Sequence, residues 1–198
     1  MKEIFVKDIE ENILKNNEIV EKYLISGTPY VFQGDEGVYY NLKREIADFF
    51  ALSSIKDIFM VGSAKLGFSM DPDQYFVPMH DASDIDMVII NEELFDRYWK
   101  KIFDLSIALK PRTKKADDMH KEFLEYFFRG WIRPDLFPFK YDGRNDWFNF
   151  FYSISYKKYD KRKVTGAIYK NDYFFMKYHE KNISKIRRHL YEIHSSRE

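Results

Sequence analysis

Val61-Gly62-Ser63-Ala64-Lys65-Leu66-Gly67, followed after a polar stretch by Ser83-Asp84-Ile85-Asp86-Met87-Val88-Ile89-Ile90, decides how this chain is read. The first segment closes a short run, Asp57-Ile58-Phe59-Met60-Val61, that is rich in strand formers and stops at Gly62-Ser63. It predicts a buried strand that runs into a turn. The second segment, Ile85 to Ile90, predicts another strand, interrupted at alternate positions by acids. Side chains alternate across a strand, so Asp84 and Asp86 are expected on one face and Ile85 and Met87 on the other.

Two carboxylates one pleat apart make a pincer for a hard divalent cation. Magnesium takes oxygen ligands, keeps several waters and is held by one or two carboxylates together with substrate phosphates. Without a cation, two like charges on a strand flanked by Ile and Val would be costly. Gly62 lets the backbone approach a phosphate closely, and Ser63 offers a hydroxyl and an amide at the start of the next helix, where anions are favoured. Each element alone is common, because Asp-x-Asp marks many solvated strand ends and Gly-Ser after a strand is most often only a turn. The informative feature is their order, with Gly-Ser-x-x-x-Gly spacing and two apolar strands.

At these residues the chain resembles the DNA polymerase β-like nucleotidyltransferase superfamily, which includes minimal bacterial nucleotidyltransferases and the signal-making enzymes of bacterial anti-phage defence. The resemblance implies an α/β (α+β) nucleotidyltransferase fold, with a small mixed β-sheet flanked by helices. It implies that Asp84 and Asp86 are catalytic and hold magnesium or manganese, and that Gly62, Ser63, Lys65, Gly67 and Ser83 contact the nucleotide and its phosphates. The implied activity moves an NMP or dNMP from a nucleoside triphosphate, ATP among them, to a hydroxyl. Template-independent action in an antiviral defence or toxin-antitoxin setting is the expected context. The acceptor is left open between a nucleotide (giving a short oligonucleotide), a nucleic-acid end and a protein hydroxyl, and a protein partner encoded nearby is expected.

Two departures bear on that chemistry. The spacing from Ser63 to Asp84 implies an insertion, residues 68–82, expected at the rim of the site as a lid. Many active relatives place a third carboxylate on a later strand, and the strand expected at 163–170 contains no acid. The alternative reading is therefore an inactive nucleotide-binding module or an antitoxin-like module that regulates a partner.

Composition sets the remaining bounds. At 198 residues the chain is expected to be a single domain, with a core over about 38–170 and terminal helices packed on it. Its 45% hydrophobic and 32% charged residues exclude intrinsic disorder, and 19% aromatic residues point to a core of large rings. Basic and acidic residues cancel, so any polyanion contact must be local. The absence of Cys excludes disulfides, thiolate zinc sites and cysteine nucleophiles. Charges every few residues make the N-terminus neither a signal peptide nor a membrane span, and a soluble, cytoplasmic protein is expected.

Apolar periodicity predicts helices over about 8–25, 38–52, 92–109, 116–128, 146–158 and 172–193, with Asn91 capping the third. His80 and Asp81 precede the acid pair and are candidate substrate or metal contacts. Lys110, Arg112, Lys114 and Lys115, and Lys181, Lys185, Arg187 and Arg188, are basic clusters that fit either a phosphate contact or a solvated helix face.

Overall fold

The computed structural model describes residues 1–107, 113–133 and 144–196. In chain order these form helices α1 (Lys2–Glu10), α2 (Asn16–Val20) and α3 (Glu36–Phe50), strand β1 (Ile58–Val61), helix α4 (Gly62–Leu66) and strand β2 (Ile85–Ile90). Helices α5 (Glu92–Ile107) and α6 (Lys114–Phe128), strand β3 (Trp131–Ile132), helix α7 (Arg144–Ile154), strand β4 (Val164–Tyr169) and helix α8 (Asp172–Ser195) follow. The strands make one mixed sheet in the order β1-β2-β4-β3. β2 runs antiparallel to β1 and parallel to β4, and the short β3 is antiparallel to β4. The expected α+β architecture with a small mixed sheet between helices is observed.

The sequence of β2 explains how the two faces of the sheet differ. Ile85, Met87 and Ile89 enter one hydrophobic cluster with Ile58, Met60, Val164 and Ile168, covered by residues of α3, α5, α6 and α7. Val88 and Ile90 point the other way and enter a second cluster with Tyr169, roofed by residues of α1, α2 and α8. Asp84 and Asp86 continue that second face beyond the edge of the roof, and both are partly exposed. Polar side chains thus stand where the face is open, and apolar ones where helices cover it.

Local signals account for several helix starts. Asn91 Oδ1 accepts from the Leu94 amide at 2.7 Å, the expected cap of α5, and Thr113 caps α6 through the Ala116 amide at 3.3 Å. Residues 108 and 109, to which α5 was expected to extend, lie outside the described residues, as do Lys110 and Arg112 of the basic cluster.

Three expectations need correction. The single helix predicted over 8–25 is broken after α1, where Asn12 adopts φ +53 and Ile13 is left exposed. Arg187 of α8 holds that break in place, donating to Asn12 Oδ1 at 2.8 Å, the Leu14 carbonyl at 2.6 Å and Asn16 Oδ1 at 2.8 Å. Long-range capture of backbone and amide acceptors overrides the apolar period there, and it places Arg187 away from any phosphate contact. The helix predicted to reach Lys158 ends at Ile154, with Tyr156 at φ +60. Strand β3 falls between the helices predicted over 116–128 and 146–158, where no strand is expected, because two residues are too few to show an alternation.

Candidate active site

The site grows from the ends of three neighbouring strands. Met60 and Val61 of β1 pair with Met87 and Asp86 of β2, which brings the Gly62-Ser63 turn beside the acid pair. On the other side of β2, Asp86 is in register with Thr165 of β4. The Ile85 amide donates to the Lys163 carbonyl at 2.8 Å, so the same register carries Asp84 next to Lys163.

Each acid has one side-chain partner on β4 or at its start. Lys163 Nζ donates to Asp84 Oδ2 at 2.8 Å, and the two side chains are 50% and 36% exposed. Thr165 Oγ1 donates to Asp86 Oδ1 at 2.7 Å. Burial pushes the Asp86 carboxyl above the usual carboxylate range, opposed by the Thr165 hydrogen bond and reinforced by the Asp84 charge, while Lys163 and Arg133 pull it back down. The Asp84 hydrogen bond holds the Lys163 ammonium above its ordinary range. Gly62 has φ +71, and a Cβ on it would stand 3.1 Å from Asp86 Oδ2. That position therefore requires glycine for its backbone conformation and is crowded by the carboxylate as well.

The acids, Gly62, Ser63, Lys163 and Thr165 line one cavity of about 1020 Å³. A pocket that encloses a drug-sized ligand is roughly 300–1,000 Å³, and this cavity is of that size. Ser69, Met70, Asp71 and Pro72, at the start of the 68–82 insertion, also line it. Backbone bonds from Phe76 to Ser69 and from Ser69 to Val77, both 2.9 Å, close the insertion on itself. Trp131, Arg133, Tyr178, His179 and Lys185 line the cavity too. Trp131 stacks on Tyr169 with ring centroids 5.3 Å apart.

Not every predicted contact reaches this cavity. Lys65 is buried, and its ammonium is turned onto the carbonyls of Ser26, at 2.6 Å, and Gly27, at 2.5 Å, so the expected phosphate contact is replaced by an internal strut. The physical reason is its place on the inward side of the single-turn helix α4. Gly67 ends that helix with φ +85 and packs against the Tyr30 ring, where a Cβ would meet ring carbons at 2.9 Å. Ser83 accepts from the His80 amide at 3.1 Å, and its carbonyl accepts from Arg162 at 3.2 Å. Arg162 also donates to the His80 carbonyl at 2.5 Å and pairs with Asp160 at 2.6 Å and with Asp81 at 3.8 Å. His80, Asp81 and Ser83 thus form a turn clamped by Arg162, and their part is to position Asp84. Among the described residues, no group of three or more His, Asp or Glu side chains is arranged to hold a metal ion.

Sequence reasoning missed the contributions of Lys163, Thr165 and His179. The first two could have been found by aligning the expected strand at 163–170 with the acid strand in parallel register. His179 gives no sequence signal, since a lone histidine on an amphipathic helix carries no motif.

No protein-family model, curated protein or solved structure matches the chain, so the site is read from its own chemistry.

Proposed function

We propose that the cavity binds a nucleoside triphosphate with a divalent cation and transfers its nucleoside monophosphate to a hydroxyl. The observation that carries this reading is the convergence of Asp84, Asp86 and the Gly62-Ser63 turn on one nucleotide-sized cavity. The residue set fits magnesium, because two carboxylates plus phosphates and waters are its usual complement. Asp84 and Asp86 would hold the ion, which when bound neutralises the triphosphate and stabilises the departing pyrophosphate.

The chain's own groups do the rest. Gly62 admits a phosphate close to the main chain, and the Ser63 hydroxyl stands ready to donate to it. The acceptor oxygen forms a bond to the α-phosphorus as the bond from that phosphorus to the oxygen bridging to the β-phosphate breaks, and pyrophosphate leaves with the electron pair. Thr165 occupies the place on β4 where a third acid would serve, so the hydroxyl proton passes to water. A positioned general base contributes roughly 10²–10⁴-fold, and turnover is expected to be slow by that factor. The acceptor is a nucleotide, a nucleic-acid end or a protein hydroxyl, with no template, in keeping with the balanced net charge.

The same Thr165 supports a second reading, a nucleotide-binding module without turnover that regulates a partner. Purified protein incubated with each labelled nucleotide and magnesium or manganese, resolved by gel and mass, separates the two. Product that disappears in Asp84→Ala and Asp86→Ala supports transfer. Nucleotide-dependent thermal stabilisation with no product supports the binding module. Product that persists in both variants sinks the site assignment.

Further findings bear on context. Among the described residues no helix is long and apolar enough to cross a membrane. A cytoplasmic setting and a nearby-encoded protein partner are part of the proposal.

A further inference from the structure

The two acids are held in unequal ways, and the inequality suggests a device. Asp86 is bonded by a hydroxyl on a short side chain fixed within β4. Asp84 is bonded by an ammonium at the end of a four-carbon stem that precedes the strand and is half exposed. One partner is neutral and anchored; the other is a cation free to swing. Lys163 also lines the cavity in which the phosphates would lie.

We propose that Lys163 is an exchangeable counter-ion: it neutralises Asp84 in the empty site and transfers to the triphosphate when a divalent cation takes Asp84. This inference rests on the proposed triphosphate site. The physical logic is charge conservation in a crowded cavity. Two carboxylates one pleat apart repel each other, and a cation beside them lowers the cost of holding them together until metal arrives. When metal and triphosphate enter together, the ammonium loses its carboxylate but gains phosphate oxygens, so its charge stays compensated in both states. Lysine suits the task better than arginine, because its ammonium is a compact point charge on a flexible stem with rotatable donors.

The proposal makes a prediction of opposite sign for two ligands, which a merely structural lysine would not produce. Removing the ammonium frees Asp84 for metal alone, yet takes a phosphate contact from the metal–nucleotide complex. The test uses the full chain and the electron paramagnetic resonance signal of free Mn²⁺. Titrations are run with Mn²⁺ alone and with Mn²⁺ plus an ATP analogue bearing a methylene bridge between the α and β phosphates. K163Q is expected to bind Mn²⁺ alone roughly two- to fivefold more tightly than the wild type, the range for a half-exposed ion pair. It is expected to bind the Mn²⁺–analogue complex more weakly by a similar factor. K163R keeps the charge but not the compact ammonium, and is expected to fall between wild type and K163Q in both titrations. Lys185→Gln removes an equal charge from the same cavity without touching an acid, and is expected to leave Mn²⁺ alone unchanged.

Unchanged or weaker binding of Mn²⁺ alone by K163Q overturns the counter-ion role, as does equal tightening by Lys185→Gln, which would reduce the effect to net charge. Unchanged or tighter binding of the Mn²⁺–analogue complex by K163Q overturns the transfer to phosphate. If the wild type retains no Mn²⁺ with or without the analogue, the underlying reading of the site fails, and this proposal falls with it. Lys163 lies outside both hydrophobic clusters, so K163Q is expected to fold and to melt slightly below the wild type in chelator, where the acids have lost their counter-ion, while K163R and Lys185→Gln melt near it.

Discussion

Oδ2 of Asp86 lies 3.1 Å from the point at which a side chain on Gly62 would begin. A side chain there would make the carboxylate give way by a few tenths of an ångström, so the turn and the acid strand fit most closely while residue 62 has none. Gly62→Ala forces an L-residue to φ +71 and presses a methyl on the carboxylate. Strain of this kind costs roughly 1–3 kcal/mol, and Mn²⁺ binding is expected to fall with it. Gly67→Ala is the control: its φ is +85 and its methyl would meet Tyr30, away from the cavity. A similar loss in urea denaturation, with Mn²⁺ binding retained, is expected there. Equal loss of Mn²⁺ binding in both would show that the Gly62 effect is global.

Asp86 trades stability for its place in the site. Burial raises its carboxyl pKa, so between the unfolded and folded values the native state binds more protons than the unfolded chain. Stability therefore falls as pH rises through that window and stays lower above it. Asp86→Asn keeps an oxygen for the Thr165 hydroxyl and removes the charge. It is expected to melt higher at pH 7, by about 2–4 °C for each kcal/mol regained in a chain of this size, with the gap closing toward pH 4. A lower melting temperature at neutral pH would mean that the carboxylate is better compensated than its surroundings suggest.

Thr165→Asp places a third carboxylate directly in register with Asp86. Three acids at one strand end repel unless a cation joins them. In chelator the variant is expected to melt below wild type, by a few degrees, and Mn²⁺ is expected to reverse the deficit and stabilise the variant more than it stabilises the wild type. If the proposed transfer occurs, its rate should rise as well. A variant whose melting is indifferent to Mn²⁺ would place the metal elsewhere.

The core of this arrangement was legible because it is local. Alternation from Asp84 to Met87 predicts which side chains share a face, and Gly62-Ser63 marks the end of β1; both are properties of a few adjacent residues. The acid pair and the turn are brought together by antiparallel pairing of successive strands, the simplest topology available. What could not be read depends on distant partners. Lys163 and Thr165 acquire meaning only from the parallel register of β4 on β2, some eighty residues away. The break after α1 depends on Arg187, near the other end of the chain. The direction of Lys65 was misread for the same reason, since neither its sequence neighbours nor its spacing reveals the carbonyls of Ser26 and Gly27.

Lys65 consequently yields a stability prediction. Burial lowers its pKa from 10.5 to about 8, with the Lys43 charge adding to the shift. Between these values the unfolded chain binds the proton that the native chain has released, so stability rises with pH across that interval. Lys65→Met leaves two carbonyls without their donor, at a cost of roughly 1–3 kcal/mol each where no water reaches them. The wild type is expected to be the more stable at pH 7, with its advantage growing from pH 8 to pH 10. Binding of the Mn²⁺–ATP analogue complex should be unchanged, whereas a marked loss would restore Lys65 to the phosphate site.

His179 predicts a pH dependence of the same sign, placed at the acid end. It is 5% exposed, packed against Phe175 at 4.5 Å, and neither ring nitrogen has a hydrogen-bond partner. Burial lowers its pKa from 6.5 to about 3. As pH falls from 6.5 toward 3 the unfolded chain takes up a proton that the native chain refuses, and stability is lost across that window. His179→Phe replaces the ring with one of similar size and no polar atoms, which relieves roughly 1–3 kcal/mol of unpaired-group penalty. The variant is expected to melt higher at pH 7, and its advantage should widen as pH is lowered to 4. If the gap instead stays constant with pH, His179 is not the group that loses stability in acid. A destabilised variant would mean that its nitrogens have a partner in solution, such as a water or a ligand in the adjoining cavity.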